Sequence, residues 1–189
     1  MNKHIRYCLL IVSMVFCSSL DSLAFDVHMN MSTAQQAKVS YLGVNGALNY
    51  KEGSFGYGFG LSAYGDSAGV SVGWTRYPEI IIRSIQAGGQ TVTFTTYPKF
   101  SQDVIEFNGL LAVGKGLYLL GGVNVLSVSP LQGITASMVG RNGYQVGFVA
   151  KPTDSMIAVE IIYQVHNFAM NTLEYSASGL TICGKLLLL

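Results

Sequence analysis

Residues 54–64 read Ser-Phe-Gly-Tyr-Gly-Phe-Gly-Leu-Ser-Ala-Tyr, and alternate positions there differ in kind. One parity carries Phe55, Tyr57, Phe59, Leu61 and Ala63; the other carries only Ser54, Gly56, Gly58, Gly60 and Ser62 before Tyr64. A strand turns successive side chains to opposite faces, so this stretch predicts a strand with one bulky apolar face and one nearly bare face. The bare face holds no charge. That suits the crowded inside of a small barrel whose outside meets lipid better than it suits the wet face of a soluble sheet.

The period of two recurs downstream. With Ile105, Phe107, Leu111 and Val113 outward, Val104, Glu106, Asn108, Leu110 and Ala112 face in. With Ile157, Val159, Ile161, Tyr163 and Val165 outward, Ala158, Glu160, Ile162, Gln164 and His166 face in, and Gln145, Gly147 and Lys151 follow inward on the preceding strand. The polar interior predicted in this way is Glu106, Asn108, Gln145, Lys151, Glu160, Gln164 and His166. The predicted lipid-facing set begins with Phe55, Tyr57, Phe59, Leu61, Val70, Val72 and Trp74. Glutamates are costly against lipid, so Glu106 and Glu160 are expected inside, with Lys151 or Arg76 as partner. Such side chains fill an eight-stranded barrel and plug it; a gated polar path is the other reading of the same residues. The last segment, 173–188, alternates poorly and its faces are not assigned.

Eight segments follow: 39–50, 54–64, 68–77, 104–113, 117–128, 143–150, 155–166 and 173–188. Turns at 65–67, 114–116 and 152–154 are short and fall at one end, while the longer connections 78–103 and 129–142 fall at the other. Outer-membrane barrels have short periplasmic turns and long outer loops. Within the first long connection, Gly88-Gly89 between 80–87 and 90–97 signals a type I′ hairpin. Pro78 and Pro98 then mark where a ribbon, 78–101, leaves the membrane for water, with Thr91, Thr93 and Thr95 on one face. If that hairpin crosses the membrane instead, the barrel has ten strands.

The N-terminus sets the compartment. Lys3 and Arg6 precede an apolar run over 9–16 and a small-x-small site at Ser22-Leu23-Ala24, the pattern of a signal peptide cleaved after Ala24. Cleavage removes Cys8 and Cys17, so Cys183 stands alone and no intrachain disulfide forms. The remaining acids and bases nearly balance, which argues against a nucleic-acid partner. Charged residues make up 11% of the chain, against roughly 25% in a soluble domain. A membrane-spanning helix over 109–128 would place Lys115 near its centre, which costs about 3 kcal/mol. Gly114-Lys115-Gly116 reads more naturally as a turn.

Catalytic signals are sparse. The expected mature chain has two histidines, His28 and His166, and one cysteine, too few and too scattered for a metal cluster. Its glycine-rich stretches alternate along strands or sit in turns, unlike nucleotide loops.

The alternation, the turn pattern and above all residues 143–163, Gly-Tyr-Gln-Val-Gly-Phe-Val-Ala-Lys-Pro-Thr-Asp-Ser-Met-Ile-Ala-Val-Glu-Ile-Ile-Tyr, resemble the small OmpA/OmpX/Ail-type outer-membrane barrels. The end of the chain partly matches their assembly signal through Gly184, Leu187 and Leu189, with leucine where an aromatic residue is usual. The resemblance implies an all-β, antiparallel up-and-down transmembrane β-barrel in the outer membrane. The expected organisation is a signal peptide at 1–24, a short periplasmic segment at 25–38 and the barrel at 39–189. Its expected partners are outer-membrane lipid, lipopolysaccharide, the assembly machinery and an extracellular or host protein met through 78–101 and 129–142. A monomer without cofactor is expected. Some barrels of this kind modify lipid A with a histidine and a serine two places on; here His166 is followed by Phe168 in that place, so the nucleophile is missing. A structural, surface-interaction or adhesion role on a porin-like barrel therefore stands ahead of a lipid-modifying enzyme or narrow pore.

Overall fold

The computed structural model describes residues 23–32, 36–41, 44–52, 55–171 and 173–188. Twelve strand segments make one antiparallel sheet: β1 (Leu23–Ser32), β2 (Gln36–Tyr41), β3 (Val44–Glu52), β4 (Gly56–Tyr64), β5 (Ala68–Ala87), β6 (Gln90–Thr93), β7 (Lys99–Gly114), β8 (Leu117–Gln132), β9 (Met138–Gly140), β10 (Asn142–Ala150), β11 (Ile157–Met170) and β12 (Leu173–Leu188). The pairings run β1–β4–β5–β7–β8–β10–β11–β12 and return from β12 to β1. A ring of pairs leaves no long edge to bind a stray chain, the usual hazard of an open sheet.

The ring continues upward. β2 pairs with β12 above β1, and β3 pairs with β5 above β4. The chain thus rises through β1 and β2 and descends through β3 and β4, with Tyr41 paired to Val44. Two expectations are corrected here. Residues 25–32 are not a segment outside the barrel: Phe25 lies opposite Leu188 on one side and Leu61 on the other. Their own sequence explains it, since Phe25, Val27, Met29 and Met31 alternate with Asp26, His28 and Asn30. Nor does a break between the expected segments 39–50 and 54–64 take in Lys51 and Glu52, which pair with Ile81 and Ile80. The expected signal peptide lies largely outside the described residues.

The 109–128 stretch forms a hairpin turned at Lys115 and Gly116, with Gly116 at φ 68°. Gly88 and Gly89, at φ 58° and 80°, close the β5–β6 hairpin, where only glycine is unstrained at both places. The ribbon is also corrected. Beyond Pro78, β5 is flanked by β3 on one edge and by β7 and β6 on the other, so most of it belongs to the barrel wall. The 129–142 connection is shorter than expected, because β8 reaches Gln132 and β9 takes Met138–Gly140.

One irregularity decides what the wall encloses. The β5–β7 register shifts between Tyr77 and Ile80. Below the shift Ser71, Thr75 and Tyr77 are buried; above it Ile80 and Ile82 are buried, and the parity has changed. A bulge inserts one residue and re-aims every side chain after it, and Pro78, which has no N–H to lend a ladder, sits at such a place.

Candidate functional site

The outer face of the lower half is a continuous apolar belt. Phe25, Val27, Met29 and Met31 lead to Tyr57, Phe59 and Leu61. The belt runs on across Ile105, Phe107, Val123, Val125, Tyr144, Val146, Phe148, Val159, Ile161, Ile182, Leu186 and Leu188, all exposed. Phe55 is also exposed, while Val70, Val72 and Trp74 are half-buried among neighbours on this face. Trp74 explains part of that, with its ring centroid 5.2 Å from Phe59 and 6.4 Å from Tyr57. Soluble monomers rarely expose more than a few hundred Å² of contiguous apolar surface.

The belt has a defined upper edge. Arg76 and Asp103 lie opposite each other on β5 and β7, their charged groups 3.9 Å apart and partly exposed. At this level β8 presents Ser127, with Ser129 just above it, and β12 presents Ser178, Ser176 and Glu174. Lys99 Nζ donates to Glu79 Oε1 at 3.0 Å just above.

Inside, the residues form three layers. The lowest is apolar: Leu110, Tyr118, Leu120, Val149, Ala158, Ile162 and Leu187 with Tyr64 and Ala24. The middle is polar. Gln164 Nε2 donates to Glu106 Oε1 at 2.8 Å and to Gln145 Oε1 at 3.1 Å, and Thr181 donates to Gln164 Oε1 at 2.8 Å. Gln145 Nε2 donates to Asn108 Oδ1 at 2.5 Å, and Asn108 Nδ2 donates to Ser71 at 3.2 Å. Five strands from distant parts of the sequence thus share one network, and its amides satisfy the carboxylate of Glu106 without a cation. Uppermost is a second apolar cluster, with Tyr77, Ile80, Ile82, Phe100, Val104, Leu126, Val128, Met138, Phe168 and Tyr175. Phe168 stacks on Tyr175 at 5.1 Å and 8°.

The expected ion pairs are corrected. Glu160 is held by Lys185 Nζ at 2.9 Å, both buried. Lys151 does not reach either glutamate: it sits near the lower turn, its Nζ 5.6 Å from the centre of the Tyr64 ring. Arg76 faces out to Asp103. β11 pairs with the next strand, β12, in a register that sets Lys185 opposite Ala158, within reach of Glu160. His166 is buried inside, and its Nε2 has no partner among the described residues.

A second polar group has no counterpart among the expected interior residues. Asp26 Oδ1 accepts from His28 Nδ1 at 2.8 Å, Asp26 Oδ2 accepts from Ser62 at 2.7 Å, and His28 Nε2 lies 2.9 Å from Thr75 Oγ1. This explains the bare face of β4. A Cβ on Gly60 would come 3.0 Å from Asp26 Oδ2, and one on Gly58 would collide with Trp74 O and His28 Nε2. A carboxylate, an imidazole and a hydroxyl in this order are the parts of a hydrolase triad. Here Asp26 is 0% and Thr75 1% exposed, so no substrate carbonyl meets the hydroxyl and the group serves as packing that satisfies its own polar atoms. Among the described residues no three metal-ligating side chains converge.

No family model matches the sequence, and no curated protein matches it. Among solved structures the fold is similar to that of Ail, the attachment invasion locus protein of Yersinia pestis, in its crystal structure: 12% identity, 87% of this chain and 98% of that chain covered, TM-score 0.39. It is similar also to the backbone structure of the Yersinia pestis outer membrane protein Ail in a phospholipid bilayer nanodisc, at 11% identity over 86% of this chain and 99% of that chain, TM-score 0.39.

Proposed function

We propose that this chain is an integral outer-membrane β-barrel, closed inside, that acts at the cell surface through its outer end, in particular residues 88–97 and 129–142. One observation carries the reading: the same strands face apolar residues outward below Arg76 and Asp103 and inward above them. Lipid around the lower half and water around the upper half account for both. The interior supports a plug, since its three layers interlock across the bore and Glu106 and Glu160 are both neutralised or hydrogen-bonded. The outer end supports contact with a partner. Val92, Tyr97, Leu131 and Val139 stand exposed there, beyond the lipid, where water penalises them. Lipopolysaccharide and an extracellular or host protein are the partners that position allows.

Membrane extraction, gel mobility before and after heating, and planar-bilayer conductance test this together. The expected outcome is a carbonate-resistant, heat-shifted band of a protein that opens no steady channel. Recovery as a soluble periplasmic protein refutes the membrane reading, and stable conductance refutes the plug. Cleavage after Ala24 belongs to the same proposal; mass spectrometry of the membrane form is expected to find Phe25 first.

A further inference from the structure

Two short strands pair along one edge only, β9 with β11 and β6 with β5; β9 lies against β8 on its other side, while β6 is the more open. Among the described residues it pairs with β5 alone, and all four of its residues are exposed. Phe94 N–H donates to Arg83 O at 3.0 Å, so Phe94, Val92 and Gln90 turn their backbone groups toward β5. In an antiparallel ladder the alternate residues then turn theirs away. Those are Thr91 and Thr93, which present unpaired N–H and C=O groups at the outermost tip. Natural edges are blunted with charges or proline, yet residues 84–97 contain neither.

This edge is complementary to itself. Two copies set antiparallel about Val92 place Thr91 of each opposite Thr93 of the other, giving four backbone hydrogen bonds with no charge to repel. Orientation then decides where the second copy sits. Barrel strands tilt about 40° from the axis. Two copies in one membrane are related about the membrane normal, so these strands would cross at about twice that angle and could not pair. A twofold axis perpendicular to the sheet makes them antiparallel and turns the second barrel upside down. We propose that β6 pairs with β6 of a second copy seated in a facing membrane, tethering the two surfaces; this rests on the outer-membrane reading above.

The test uses the full protein carrying Cys183→Ala and Val92→Cys, placed with two different tags in two vesicle populations that are mixed and mildly oxidised. Val92 meets its own copy in a non-hydrogen-bonded pair, with Cα atoms about 4.5 Å apart, within the span of a disulfide. The expected result is a disulfide-linked dimer carrying both tags. Adding Thr93→Pro removes an outward N–H without touching the bonds to β5, and is expected to lower that dimer at least about tenfold while the heat shift persists. Heat-shifted barrels that give no mixed-tag dimer, or a dimer indifferent to Thr93→Pro, overturn the pairing. Protein that shows no heat shift in the vesicles overturns the membrane reading beneath it.

Discussion

The two halves of this barrel are built from the same strands and are opposites. On β8 the lower outward residues are Leu117, Leu119, Val123 and Val125, and the upper ones are Ser127 and Ser129. On β5 the lower inward residues are Ser71 and Thr75, and the upper ones are Ile80 and Ile82. Below, an apolar surface wraps a polar filling; above, a polar surface wraps an aromatic and aliphatic core. A sheet has no preference between these arrangements, because either face can be the apolar one. The surroundings choose, and on the outer-membrane reading proposed above the reversal over a few residues marks the border between lipid and water.

The bulge after Tyr77 is where the comparison breaks most easily. Deleting Pro78 and Glu79 together takes out the bulge and one ladder position with it, which turns Ile80 and Ile82 to the outer face and drives Arg83 inward. A slip of one residue moves a whole strand's set to the other side. Each isoleucine leaving the core costs about 1.5–3 kcal/mol, and a guanidinium buried without partner adds about 3–5 kcal/mol. Loss of the upper half is the expected outcome, read as protease cleavage within 80–100 while the lower half stays in the membrane. If the deleted protein keeps its full resistance, the parity change is not what builds the upper core.

The polar filling of the lower half gives the next effect. Lys185→Ala leaves Glu160 buried without its cation and is expected to cost about 3–5 kcal/mol in urea unfolding from vesicles. Replacing both, with Glu160→Leu and Lys185→Met, should recover most of that loss, since a buried pair seldom outdoes apolar residues of like size. A double variant as weak as the single one would show that the pair does more than neutralise itself. In the upper half Phe168→Ala removes the ring that stacks on Tyr175 and lies tilted against Phe100 at 5.8 Å. The expected cost there is about 3–5 kcal/mol, from lost burial and the cavity left behind. A cost below about 1 kcal/mol would mean that the upper cluster collapses freely and is not a core.

Much of this is legible in the chain, and the failures share a cause. Strands with large outward residues and small or polar inward ones, such as β4, β7, β10 and β11, declare themselves by period two. Residues 25–32 do so as well, through Asp26, His28 and Asn30 between apolar neighbours, but their place just after the expected cleavage site suggests a leader segment instead. On β12 the inward positions Cys183 and Leu187 look like lipid-facing residues, since the lowest layer of the filling is apolar as well. Alternation then vanishes although the strand is regular, and Lys185 loses its sign of direction. Its pairing with Glu160 depends on the register of β11 against β12, and that of Asp26 with Ser62 on β1 lying beside β4. Local pattern cannot supply either. The β2–β3 pair escapes a reading by polarity because the wall extends far above the apolar belt, so a polar run such as Lys51-Glu52 can sit inside a strand.

The smallest effect is the sharpest measure of the border. Val123 and Ser129 lie on the same face of β8, six positions apart, or about 20 Å along the strand. Both are exposed, and on a soluble sheet lysine at either place would change stability by no more than about 0.5 kcal/mol. In lipid the two sites part. Val123→Lys places an ammonium in the apolar belt between Phe107 and Tyr144, at an expected cost of about 2–4 kcal/mol if that level is near the midplane. Ser129→Lys lies above the level of Arg76 and Asp103, where water solvates the charge, and is expected to stay within about 0.5 kcal/mol of the parent. The measurement is urea unfolding of each variant from lipid vesicles, followed by tryptophan fluorescence of Trp74, which lies in the belt. A long lysine stem can lift its charge toward the interface, so the first cost falls as Val123 lies nearer the edge. It does not fall to that of Ser129 unless the belt is bathed in water, and equal costs at the two positions would place both halves of the barrel in the same solvent.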